Sequence, residues 1–193
     1  MKFITYKLSA FIFLSLFFTA CQPSSAPKIV SSGNPSPQTG RSAAPVSPPI
    51  KTAGIEKLGW QLQSGAKQTI SDYKGKVVVL DFWATYCSPC LDEIPHLVNL
   101  QTKYQNEGLR VIGLHVGGDD DRPFVPDFVR KLKIQYDLGY PQPELVNVLF
   151  NGTTDIPQTF VFDRNGKLVQ NFTGYSFEVR DDMDEAVQQA LAN

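Results

Sequence analysis

Apolar and polar residues are distributed differently in three stretches of the chain. Leu8 to Phe18 is an apolar run interrupted only by serines. Residues 22–52 show no period at all and are dominated by proline, serine, alanine and glycine. From Ile55 onward, short apolar blocks alternate with polar turns, as in a packed domain. Gly59 to Gln63 alternates weakly and predicts a first strand. Lys76 to Trp83 is apolar on both sides of its period, which predicts a central strand buried on both faces. Ser88 to about Asn106 places Ile94, Leu97, Val98 and Leu100 at helical spacing, with Pro95 inside and expected to kink the helix. Leu109 to Val116 predicts a second buried strand, followed by the loop Gly117-Gly118 and three aspartates. Helices are predicted over Pro126 to Ile134 and Pro143 to Leu149. Gln158 to Phe162 and Lys167 to Phe172 form strands around Asn165-Gly166, a strong hairpin signal. Phe177 to Leu191 closes the chain as an amphipathic helix carrying Val179, Met183, Val187 and Leu191. Strand–helix alternation followed by a hairpin and a helix predicts an α/β domain with a central mixed β-sheet flanked by helices, starting near residue 53.

Composition changes the picture mainly at the N-terminus. The chain has 193 residues and a net charge of −1, which fits one domain with an extension and gives no reason to expect a nucleic-acid partner. Lys2 and Lys7 flank the start of the first apolar run. That run is shorter than the roughly 20 residues a spanning helix needs, so residues 1–20 read as a secretory signal peptide. Thr19-Ala20-Cys21 resembles a bacterial lipobox, which implies cleavage before Cys21 and lipidation of its thiol. A plain signal peptide with a chance cysteine is the alternative. Residues 21–52 cannot bury enough apolar surface to fold, and read as a tether with a reach of roughly 30 Å. The globular domain is then 53–193.

Three cysteines in an exported chain leave one to explain. If Cys21 carries lipid, Cys87 and Cys90 remain, within Asp81-Phe-Trp-Ala-Thr-Tyr-Cys-Ser-Pro-Cys90. A strand ending at Trp83 and a helix starting near Ser88 put both at a helix N-terminus, where N–H groups and the dipole favour a thiolate. Nearly one helical turn brings Cys90 back to the side of Cys87, close enough for a disulfide. Pro89 suits the first turn. Cys87 is expected to be the attacking thiol and Cys90 the shielded, resolving one. As a structural staple, a four-residue loop offers only about 2 kcal/mol. As a zinc site, the pair supplies two ligands, and His96 and His115 are the only histidines available. Haem attachment needs histidine where Leu91 stands.

The stretch Ser71 to Leu97, with its Lys-Gly-Lys lead-in, buried strand, Cys-x-Pro-Cys and Glu-x-Pro, resembles the thioredoxin superfamily, and within it the membrane-tethered TlpA/ResA-like thiol–disulfide oxidoreductases. Tyr86 stands where those proteins usually have tryptophan, and Ser88 fills the first variable slot. Downstream, Asp155-Ile-Pro-Gln-Thr-Phe160 resembles the family's cis-proline segment. The resemblance covers residues 55–191. It implies a thioredoxin fold with an N-terminal strand extension, a redox-active Cys87–Cys90 disulfide, and a cis Ile156-Pro157 bond facing the cysteines. Asp81 lies in an apolar run and is expected to be buried and to hold its proton. The resemblance implies that it relays protons for Cys90; a hydrogen-bonded structural acid is the alternative. Thioredoxins carry a lysine near this acid, and Gly113 occupies the matching place. Trp83, Tyr86, Ser88, Pro89 and Ile156 are expected to form the substrate-facing surface, with core packing as the alternative for Trp83.

The implied function is thiol–disulfide exchange in extracytoplasmic proteins, in the reducing direction, with apocytochrome c as a candidate substrate. A membrane electron donor would be needed, and no metal or cofactor beyond the disulfide is expected. A disulfide-forming oxidase, and a non-enzymatic module binding a metal or partner through the thiols, are the alternatives; a peroxiredoxin-type peroxidase fits less well. Glu93 is read as a solvated helix position, with a place near the site through the helix as the alternative; Asp119-Asp120-Asp121 resembles a calcium loop in composition only and is read as a solvated loop; His96 and His115 are given no role.

Overall fold

The computed structural model describes residues 54–193. The expected signal peptide, Cys21 and the tether up to residue 52 lie outside the described residues. In chain order the elements are β1 (Gly59–Leu62), β2 (Lys67–Thr69), β3 (Val77–Trp83), α1 (Ser88–Tyr104), β4 (Leu109–His115), α2 (Val125–Leu132), β5 (Asp137–Pro141), α3 (Pro143–Phe150), β6 (Gln158–Phe162), β7 (Leu168–Thr173) and α4 (Phe177–Ala192). The strands form one seven-stranded sheet in the order β2-β1-β5-β4-β3-β6-β7. β3 runs parallel to β4 and antiparallel to β6, and β1 joins the sheet antiparallel to β5. This is the mixed sheet flanked by helices, with an N-terminal strand extension, that the sequence predicts.

Every residue of β3 is buried, because helices cover both faces of the sheet. Val77, Val79 and Trp83 pack on one face with Leu97 of α1, Phe128 of α2 and Val187 of α4. Val78, Leu80 and Phe82 point the other way, into a second core with Trp60, Leu145 and Leu149. Period-two alternation places Asp81 on the first face, beneath α1.

Two strands escape the sequence reading. β2 is Lys-Gln-Thr and carries no apolar signal. β5 contains Gly139 and Pro141, residues that argue against a strand. Gly139 is there because a Cβ would lie 2.7 Å from the Gln61 carbonyl oxygen across the β1–β5 pair. α1 continues through Pro95. α2 ends at Leu132, short of Ile134, because Lys133 adopts φ 55° and turns its N–H onto the carbonyls of Val129 and Arg130. The Asn165-Gly166 turn is closed by Asp163, whose Oδ1 accepts from the N–H groups of Asn165 and Lys167. Among the described residues no helix is long and apolar enough to cross a membrane.

Candidate active site

β3 delivers the chain to a tight corner after Trp83. The Cys87 N–H donates to the Ala84 carbonyl, and α1 starts one residue later. Cys87 is the N-cap of α1, and its sulfur accepts from the Cys90 N–H at 3.3 Å. The two cysteines form a disulfide, with S–S 2.08 Å and Cα–Cα 5.3 Å. Cys87 keeps 6% exposure and Cys90 has none, so only the first cysteine reaches solvent. Tyr86, Ser88 and Pro89 beside it are exposed.

The Ile156-Pro157 bond is cis, as expected. The Pro157 carbonyl accepts from the Gly174 N–H at 2.8 Å, which ties the loop to the end of β7. Ile156 packs against the apolar cluster that contains Cys87 and Cys90. Trp83 departs from the substrate-facing role. It is fully buried, stacked on Phe128 with ring centroids 5.0 Å apart, and it supports the corner from below.

Asp81 and Glu93 are both fully buried. The expectation that Glu93 lies on a solvated helix face is therefore wrong. Three residues after Cys90, it shares that residue's inward side of α1, and its Oε1 accepts from the Thr159 hydroxyl. Thr159 is the β6 partner of Asp81 in register, so both carboxyl groups converge on one spot. Burial, then the neighbouring Glu93, hold the Asp81 carboxyl well above its ordinary range. Burial pushes Glu93 up to about 7, against the opposing effect of the Thr159 hydrogen bond. On β4, Gly113 is paired with Asp81, as the sequence reading supposed. A side chain there has no room: its Cβ would lie 2.6 Å from Leu138 Cδ2 and 3.1 Å from the Tyr136 ring. Burial, then the nearby Asp81 and Glu93, push the Tyr136 hydroxyl upward. Both Asp81 oxygens, Glu93 Oε2, the Trp83 indole N–H and the Tyr136 hydroxyl lack a hydrogen-bond partner.

A second buried polar group supports the corner from the other side. Asp121 Oδ2 accepts from the Thr85 N–H at 2.8 Å and is 2.8 Å from His115 Nε2, and its Oδ1 accepts from the Thr85 hydroxyl. Burial works against this carboxylate's charge, but the bonds from Thr85 and His115 outweigh it and hold Asp121 below its ordinary range. Asp119 and Asp120 are solvated as expected; Asp121 is not. Gly117 makes room for it, since a Cβ there would meet the Asp121 carboxylate at 2.3 Å. Nothing in the spacing of Thr85, His115 and Asp121 signals this cluster. His96 also has a partner, Asp184 on α4, at 2.9 Å. Among the described residues no three His, Cys, Asp or Glu side chains gather as a metal site.

The AhpC/TSA family matches residues 55–171. The thiol-disulfide oxidoreductase ResA of Bacillus thuringiensis subsp. konkukian is 35% identical over 115 residues, 57% of this chain and 62% of the relative. ResA of Geobacillus thermodenitrificans is 31% identical over 110 residues, with the same coverage of both chains. The match thus spans less than two thirds of these relatives' length. A putative thiol:disulfide interchange protein DsbE from Chlorobium tepidum has 25% sequence identity and a TM-score of 0.60, covering 69% of this chain and 92% of that structure. A thioredoxin family protein from Chlorobium tepidum TLS has 28% identity and a TM-score of 0.59 over the same shares.

Proposed function

We propose, from the premise that the chain belongs to the AhpC/TSA family, that it is a thiol–disulfide oxidoreductase working through Cys87 and Cys90. The observation that carries this reading is the pair itself: a disulfide at a helix N-terminus whose first sulfur is the only one near solvent. The names of the ResA and DsbE-like relatives support it.

In the reducing direction, the Cys87 thiolate attacks one sulfur of a substrate disulfide. A mixed disulfide forms and the first substrate thiolate leaves. Cys90 loses its proton and attacks Cys87 Sγ. The Cys87–Cys90 bond closes, the second substrate thiolate leaves, and two electrons have passed to the substrate. The Cys90 proton goes to the Asp81–Glu93 pair. Burial raises both carboxyl groups, Glu93 to about 7, so the pair as a unit takes up the proton. Asp81 therefore shares the relay role with Glu93. If Asp81→Asn leaves the pH dependence of Cys90 alkylation unchanged, Asp81 has no part in the relay.

The substrates are protein disulfides outside the cytoplasm, with apocytochrome c as the candidate that the ResA resemblance favours. Export by residues 1–20, anchoring through lipid on Cys21, and a membrane electron donor complete the reading. The disulfide is the only redox group it requires. The reduction potential of Cys87–Cys90 tests direction. A value near about −270 mV supports a reductase, and one near about −120 mV supports an oxidase. Stoichiometric metal on the reduced protein, with no exchange activity, would favour a binding module instead.

A further inference from the structure

Two hollows meet beside the cysteine corner. One, of about 500 Å³, is lined by Tyr86, Phe150 and Ile156, with Thr153 and Thr154 at its edge. The other, of about 330 Å³, is lined by His115, Arg122 and Tyr140. Val116, Val146 and Asn147 line both, so the two are one continuous groove. Its first end abuts the reactive cysteine, since Tyr86 precedes Cys87 and Ile156 precedes the cis proline. Tyr86 is 70% exposed there, a large ring held against solvent.

The far end differs in charge. Among the described residues lining the groove, Arg122 carries the only full formal charge. His115 Nε2 is taken by Asp121, which lies beneath the groove and does not line it. The Arg122 guanidinium lies 4.1 Å over the Tyr140 ring, so one face is covered and its N–H edge is oriented. Its present partner is Asp119, at 3.2 Å and 89% exposed. Such an exposed pair is weak, so another carboxylate replaces Asp119 readily.

We infer that this groove binds the substrate polypeptide next to its reacting cysteine, taking an apolar side chain at the Tyr86–Ile156 end and a carboxylate side chain at Arg122. The inference rests on the thiol–disulfide reading and names the kind of substrate that reading leaves open. Apolar lining near Cys87 rewards an apolar neighbour of the substrate cysteine through burial. The lone cation at the other end selects for acidic over basic segments. Arg122 is thus a specificity-determining residue, removed from the sulfur chemistry.

The test uses the full-length oxidised protein and synthetic peptides in which the cysteine is replaced by alanine, so that binding is read without redox chemistry. Each peptide carries phenylalanine beside that alanine, and a glutamate or a lysine scanned along the remaining positions. At the best position the glutamate peptide should bind about threefold tighter than its lysine counterpart, the size of one exposed ion pair. Arg122→Gln should erase that difference, and Val146→Glu should weaken both peptides. Equal binding of the two peptides to the native protein, or a preference that persists in Arg122→Gln, overturns the inference. So does self-association of the native protein that Arg122→Gln abolishes, since a second copy would then be the occupant. The disulfide forms of the same peptides, offered to the reduced protein, test the underlying reading separately: binding preference without any reduction would sink the activity and leave the groove.

Discussion

Glu93 links the stability of this protein to pH. Its carboxyl is pushed to about 7 by burial, from an ordinary 4.5. The folded chain therefore binds more protons than the unfolded chain between those values. Stability contributed by the neutral carboxyl is complete below about pH 4.5 and is lost as pH rises through about 7. The loss amounts to about 3 kcal/mol. Glu93→Gln keeps a carbonyl for the Thr159 hydroxyl but does not ionise. It should match the native protein near pH 4.5 and exceed it by about 3 kcal/mol at pH 8, read from urea unfolding at the two pH values. The same variant should slow disulfide exchange, because the proposed proton acceptor for Cys90 is gone. A variant that is no more stable at pH 8 would mean that Glu93 is not ionising in the folded state.

The corner between β3 and α1 is set by interactions between elements as much as by the local motif. Asp121, six residues beyond the end of β4, holds the N–H and hydroxyl of Thr85, and His115 at the end of β4 holds Asp121. Asp121→Ala removes all three bonds and leaves His115 buried without its carboxylate. It should cost more than one lost hydrogen bond, since the Thr85 N–H and the His115 ring are each left without a partner at about 1–3 kcal/mol apiece. Thr85→Val removes only the hydroxyl bond and should cost about 1–3 kcal/mol. The difference between the two is readable as a shift in the urea midpoint with the slope unchanged. Gly113→Ala tests the other side of the corner. Its Cβ would press on Leu138 and Tyr136, and overpacking of this kind costs about 1–3 kcal/mol. A Gly113→Ala protein as stable as the native one would show that the Leu138 methyl, the nearest atom at 2.6 Å, moves aside freely.

At the scale of the whole molecule, the sheet places the sites along one edge of the structure. β3 ends four residues before Cys87, β4 ends at His115, and β6 begins just after Pro157. This clustering follows from the parallel β3–β4 pair and the antiparallel β6: two carboxyl ends and one amino end meet. The proposed lipid anchor belongs to this scale too. Cys21→Ser should abolish incorporation of labelled fatty acid while leaving the Cys87–Cys90 reduction potential of the domain unchanged. If the native protein never takes up label, the anchor is wrong and export alone remains of that reading.

Much of this was legible in the letters, for physical reasons that can be named. Long apolar runs announced β3 and β4, helical spacing announced α1 and α4, and Asn165-Gly166 announced the hairpin, because each signal is local. Cys-x-x-Cys at a strand-to-helix junction and the Ile156-Pro157 segment marked the candidate site for the same reason. The polar β2 and the Gly- and Pro-containing β5 were not legible, since only their neighbours in the sheet make them strands. Nor was the surrounding of the cysteines. Glu93 has the letters of a solvated helix residue, and only the packing of α1 onto β6 turns it inward to Thr159. Asp121 stands in a run of three aspartates, and only the fold of the Gly117 loop separates it from the other two. Sequence by itself determined that two cysteines three positions apart sit at a strand-to-helix junction, and which strand presents them. Tertiary structure alone decided which carboxyl groups are buried beside them, because burial depends on residues distant in the chain meeting across the sheet.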